Sequence, residues 1–189
     1  MRTMTVLAAA VVAGVCSAIM GVAPAHAIGS ERTVAVPAAF PDNEVEIVND
    51  HAGKCLDVTD GSTDIGTPIQ EWSCHGRPEQ LWRKPVFSDG AFPLISVNSN
   101  GLCLDIAANV PQDGDRVVQY PCAYWWYGSN LRTTQMWRWE AAQGFGEWLV
   151  NVYSGLCLAM SPNTSANGTS IVVGACGTTT AKYWHVETG

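Results

Sequence analysis

Three pairs of cysteines share one interval. Cys55 and Cys74 are 19 residues apart, as are Cys103 and Cys122, and Cys157 and Cys176. Equal spacing three times over points to an internal repeat, and a repeat restricts the fold to architectures that assemble copies of one unit. The flanks agree. "AGKCLDV", "NGLCLDI" and "SGLCLAM" surround the first cysteine of each pair. Gly53, Gly101 and Gly155 lie two residues before it, and Gly66, Gly114 and Gly168 lie eight residues before the second cysteine. Downstream come "EQLW", "TQMW" and "AKYW", ending at Trp82, Trp137 and Trp184. The step from second cysteine to tryptophan is 8 residues in the first and third units and 15 in the second.

Each unit reads as short strands. In the first they are "EIVND", "CLDV", "PIQEWSC" and "LWRKPV". Turn-forming stretches such as "DGST", "QDGD" and "SANGT" separate them. No segment has a helical period, so the expected class is all-β with about four strands per unit. Within a unit the two cysteines bracket a hairpin-like segment that can return them to bonding distance. We therefore expect Cys55–Cys74, Cys103–Cys122 and Cys157–Cys176. Loops of this length contribute about 3 kcal/mol each in the chain-entropy model. No cysteine has a partner at the short spacing of a zinc site, so no metal is expected.

Residues 1–27 carry Arg2, a long Ala- and Gly-rich apolar run and "AHA" at its end, the pattern of a secretory signal. Residues 28–43, with Pro37 and Pro41, read as a flexible lead-in to a single domain over 44–189. The repeat divides that domain at about 46–93, 94–147 and 148–189. Six cysteines after the leader fit an oxidising, extracellular destination. Without Arg2, nine basic and 17 acidic residues remain, a net charge of −8. That balance argues against nucleic acid and anionic membrane as partners. A monomer without a cofactor is expected.

Gly-Leu-Cys-Leu-Asp, a second cysteine after an aromatic, and Gln-x-Trp, in register across successive units, resemble the ricin-type β-trefoil lectins. The resemblance runs from about Glu44 to the end. It implies an all-β fold, a β-trefoil of three homologous four-stranded lobes with pseudo-threefold symmetry. It also implies one shallow sugar pocket per lobe. In such lectins an Asp two residues after the first cysteine accepts hydrogen bonds from sugar hydroxyls. An aromatic two residues before the second cysteine stacks on the C–H face of the ring. A Gln four residues before that cysteine, and the Asn-Gln opening Gln-x-Trp, complete the polar rim. The tryptophan of Gln-x-Trp is core. A pyranose has polar edges and an apolar face, so it suits fixed acceptors beside an aromatic ring.

Carried over residue by residue, the first lobe has Asp57, Gln70, Trp72 and Gln80, with Glu79 in place of the Asn. The second has Asp105, Tyr120 and Gln135, with Val118 for the upstream Gln and Thr134 for the Asn. Gln119 would face the other side of the strand. The third has Ala159, Gly174 and Lys182 at the Asp, aromatic and Gln positions, and is expected to be structural. The alternative for Asp57 and Asp105 is a turn aspartate bonded to backbone. For Trp72 it is a half-buried strand residue. The joint loss of acceptor and ring in the third lobe, with cysteines and tryptophan kept, weighs toward ligand roles.

The extra length of the second unit holds "YWWY", Tyr124 to Tyr127. We expect this insertion to border the second pocket, with at least one ring of Trp125 and Trp126 as an extended platform for a longer glycan. The alternative is a loop whose rings fold onto apolar surface or contact another chain. The leading function is a secreted, non-catalytic carbohydrate-binding protein for polysaccharide or clustered glycans. The alternative is a protein-binding trefoil, an inhibitor or adhesion factor with relic sugar sites. An enzyme has little support, since His51, His75 and His185 lie in no nucleophile motif and the six cysteines are committed to bridges.

Overall fold

The computed structural model describes residues 44–85, 89–99, 101–123, 133–142 and 144–188. Among them are twelve strands. They are β1 (Glu44–Asn49), β2 (Lys54–Val58), β3 (Ile69–Trp72), β4 (Trp82–Arg83), β5 (Ile95–Ser96) and β6 (Leu102–Ile106). Then come β7 (Val117–Pro121), β8 (Trp137–Ala141), β9 (Glu147–Asn151), β10 (Cys157–Ser161), β11 (Thr169–Gly174) and β12 (Tyr183–Thr188). The only helical pieces among the described residues are single 3-10 turns, such as Pro78–Gln80 and Thr133–Gln135. The strands of the first unit are shorter than "PIQEWSC" and "LWRKPV" suggested. Pro68 and Pro85 lack an N–H for a ladder, and β3 and β4 lie between them.

Two kinds of pairing build the fold. β4 pairs with β1, β1 with β12, β12 with β9, β9 with β8, and β4 with β5, all antiparallel. Phe92, just before β5, exchanges two 2.9 Å backbone hydrogen bonds with Trp137 of β8, which closes the ring into a barrel. The remaining strands form three hairpins, β2–β3, β6–β7 and β10–β11. These meet edge to edge through Pro68 and Val118, Arg116 and Val172, and Ser170 and Gln70. A barrel capped by three hairpins is a β-trefoil.

The core repeats with the sequence. Trp82, Trp137 and Trp184 are fully buried. Each indole Nε1 donates to the carbonyl of the leucine after its unit's first cysteine: Leu56 at 3.1 Å, Leu104 at 3.2 Å and Leu158 at 3.0 Å. A buried indole needs an acceptor, and this one ties each hairpin to the barrel. The expected bridges Cys55–Cys74, Cys103–Cys122 and Cys157–Cys176 are all present, with Cα–Cα distances of 5.0, 5.0 and 5.1 Å.

The repeated glycines join the units. Gly66 N–H donates to the Gln119 carbonyl, Gly114 to Val173 and Gly168 to Glu71, at 2.8, 2.8 and 2.9 Å. Their φ values of 83°, 91° and 84° lie in the left-handed region, where a side chain is strained. Each unit's β-turn thus docks on the next unit's hairpin.

Candidate binding site

The first hairpin presents a site on one face. Asp57 on β2 is directly opposite Gln70 on β3, and Trp72 follows on the same side two residues later. Asp57 is buried, yet among the described residues neither carboxylate oxygen bonds to backbone. Oδ1 accepts from Gln70 Nε2 at 2.8 Å and Oδ2 from Gln80 Nε2 at 2.9 Å. Asp57 is therefore held by side chains and is not a turn aspartate bonded to backbone. Burial pushes the Asp57 carboxyl up. The amides of Gln70 and Gln80 and nearby His75 counter that rise, and the charge of Glu79 adds to it.

Gln80 itself is fully buried, so it braces the site from beneath and is not part of an open rim. Its Oε1 accepts the His75 N–H at 2.8 Å, and its Nε2 also donates to the Ser73 carbonyl at 3.1 Å. Trp72 stands 38% exposed, in contrast to the three core tryptophans. A β-carbon on Gly168 would lie 3.8 Å from the Trp72 ring and 3.8 Å from Gln70 Oε1. The third unit therefore supplies one wall of the first unit's site.

Glu79 folds over Gly61, with Glu79 Cδ 3.7 Å from where a β-carbon of Gly61 would be. His75 Nε2 lies 3.9 Å from Asp57 Oδ2 and 3.9 Å from Glu79 Oε1. Sequence reasoning passed over His75. The signal was available, because the equivalent positions after the second cysteine are Ala123 and Gly177.

The second hairpin keeps half of this construction. Asp105 is buried and its Oδ2 accepts from Gln135 Nε2 at 2.9 Å. Gln135 is buried too, donating to the Pro121 carbonyl at 2.9 Å and accepting the Ala123 N–H at 2.7 Å. Val118 replaces the second amide donor. Tyr120 is 48% exposed. Asp105, Tyr120 and Val118 line a groove of about 380 Å³ together with Gly66, Ala107 and Asn109. Here the wall comes from the first unit. Gln119 does face the other way, fully buried, and its amide holds the Ser62 and Asp64 carbonyls at 2.9 Å each. Trp125 and Trp126 lie outside the described residues.

The third hairpin lacks the acid, the ring and the glutamine of the first. A β-carbon on Gly174 would meet Asp113 Oδ1 at 2.5 Å, so an acid from the second unit fills the place of the stacking ring. Lys182 bonds the Ala175 carbonyl, the contact that Gln80 and Gln135 make in their own units. Ala159 offers no acceptor.

Residues 43–184 match the ricin-type beta-trefoil lectin domain. The chain belongs to that family. This ricin-type lectin is 32% identical over 135 residues to the agglutinin of Ricinus communis, covering 70% of the chain and 20% of the agglutinin. It thus spans about a fifth of that relative's length. The lectin is also similar to ThreeFoil, a designed threefold-symmetric protein. Identity there is 26% and the TM-score 0.67, over 76% of this chain and 96% of that one. A ricin B-like lectin of Macrolepiota procera, solved with lactose, shares the fold at 18% identity and a TM-score of 0.61, over 77% and 95% of the two chains.

Proposed function

We propose that this lectin is a secreted, non-catalytic protein that binds polysaccharide or clustered glycans through its first and second lobes. One observation carries the reading. Asp57 is a buried carboxylate held by two glutamine amides beside an exposed indole. Core packing does not call for a buried acid, and folding does not call for an exposed tryptophan. A sugar uses both, as hydroxyls donate to the carboxylate and the ring's C–H face stacks on Trp72. The second lobe offers Asp105 and Tyr120 in the same relation, with Val118 in place of the second glutamine. The third lobe, with Asp113 in its cleft, is structural.

Residues 1–27 would then be an export leader and 28–43 a lead-in to the lectin domain at 44–189. The disulfides fit an extracellular setting. The protein acts as a monomer, with no nucleic acid or membrane partner and no metal or cofactor.

Asp57→Ala tests the first pocket. It removes the charged acceptor, and charged hydrogen bonds contribute about 1.5–3 kcal/mol each. A single shallow sugar site is on the order of millimolar, about −4 kcal/mol. Losing the acceptor should therefore erase binding there, and Trp72→Ala should do the same. Titration calorimetry with glycans chosen from an array reads both, and a blank array would contradict the lectin reading.

A further inference from the structure

The first pocket departs from the family pattern in one functional group. Where the family pattern has an asparagine, with two N–H donors, this chain has Glu79, which only accepts when ionised. Apart from the His75 ring nitrogen, the other donors are largely committed. Gln80 Nε2 is shared between Asp57 and the Ser73 carbonyl, and Gln70 Nε2 holds Asp57. The acceptors are in excess, from both carboxylates and Gln70 Oε1.

The two carboxylates also converge on one point. His75 Nδ1 accepts the Arg77 N–H at 3.3 Å, so the neutral ring carries its proton on Nε2. That nitrogen is 3.9 Å from an oxygen of Asp57 and 3.9 Å from an oxygen of Glu79. A nitrogen beside Asp57 thus sits within ion-pair distance of both acids, though at hydrogen-bond distance from neither.

We propose that the first lobe selects a pyranose bearing a free, protonated amino group. This rests on the carbohydrate-binding reading above. An ammonium has three donors and no acceptor, the complement of an acceptor-rich rim. Its hydrogen bonds to carboxylates are charge-assisted, stronger than those of a neutral hydroxyl. An N-acetylated sugar brings a carbonyl and a single N–H to the same place and leaves Glu79 facing an acceptor. Trp72 contributes equally to both, because it meets the C–H face.

The test compares fully deacetylated and fully N-acetylated glucosamine tetramers by calorimetry at about pH 5.5, well below the α-amino range, so that the sugar amine is largely protonated. The wild type should bind the deacetylated tetramer roughly tenfold more tightly. Glu79→Gln, equal in length and uncharged, should bring the ratio to about one, with the N-acetylated affinity kept or raised. Salt raised from about 50 to about 500 mM should weaken only the deacetylated ligand. Trp72→Ala should abolish both, which separates the pocket from general attraction to an acidic surface. A wild-type ratio near one, a ratio unchanged in Glu79→Gln, or deacetylated binding that survives Trp72→Ala would overturn the proposal while leaving the lectin reading standing. Failure of every sugar on an array to bind would overturn both.

Discussion

Glu71 and Gln119 occupy equivalent places, three residues before the second cysteine of their units, and both are fully buried. Gln119 uses its amide to hold two carbonyls of the neighbouring unit. Glu71 cannot donate as an anion, and among the described residues neither of its carboxylate oxygens accepts a hydrogen bond. Burial pushes its carboxyl up to about 7, against the pull of Lys54. The folded state therefore prefers the neutral acid. The stabilisation from that preference is full below the unfolded value of 4.5 and is lost as pH rises through about 7. Glu71→Gln should remove most of this dependence. Urea unfolding should show the variant gaining stability over the wild type at about pH 8, by up to about 3 kcal/mol, and little at about pH 4. An equal change at both pH values would mean that charge is not the cause. Trp82 tests the opposite kind of residue. Trp82→Ala removes a buried ring and its bond to Leu56, and should cost about 3–5 kcal/mol in the same assay.

At the scale of elements, the three hairpins are held to one another by a rule that sequence spacing alone did not disclose. At two of the three junctions the residue before the glycine faces the residue before the next unit's second cysteine. Asn167 Oδ1 accepts the Ser73 N–H at 3.0 Å, and Asp113 Oδ1 accepts the Ala175 N–H at 3.1 Å. At the third junction the equivalent positions hold Ile65 and Pro121. Proline has no N–H, so no acceptor is needed, and the apolar Ile65 stands there 61% exposed. The spacing of Gly66, Gly114 and Gly168 was visible in the chain, but not that each serves a different unit from its own. Spacing reports what recurs within a unit. Contacts across units become visible only once the hairpins are placed. For the same reason Asp57, Gln70 and Trp72 were legible, since they lie on one hairpin, while the Gly168 wall and the buried stations of Gln80 and Gln135 were not. The Cys157–Cys176 bridge closes the hairpin with no proposed pocket. Replacing both cysteines with serine should cost about 2–5 kcal/mol in thermal unfolding and leave sugar affinity unchanged at temperatures where the protein is folded. Loss of affinity in the folded variant would give the third lobe a role we do not assign it.

The molecule as a whole holds two proposed pockets, in different lobes of one rigid trefoil, and each borrows a wall from its neighbour. Weak single sites on a fixed frame gain on a polymer through effective concentration, by about 10²–10⁴ when the geometry allows both to engage. Binding to a monosaccharide should therefore be weak and binding to the polysaccharide strong. On the function proposed above, carbohydrate is held at the buried aspartates of the first two lobes. The most direct measurement is affinity electrophoresis of the wild type and of the Asp57→Ala, Asp105→Ala double variant through gels containing a polysaccharide that retards the wild type, with thermal melts showing both folded. We predict slowed migration for the wild type and unimpeded migration for the double variant. Equal retardation of the two folded proteins would contradict the account.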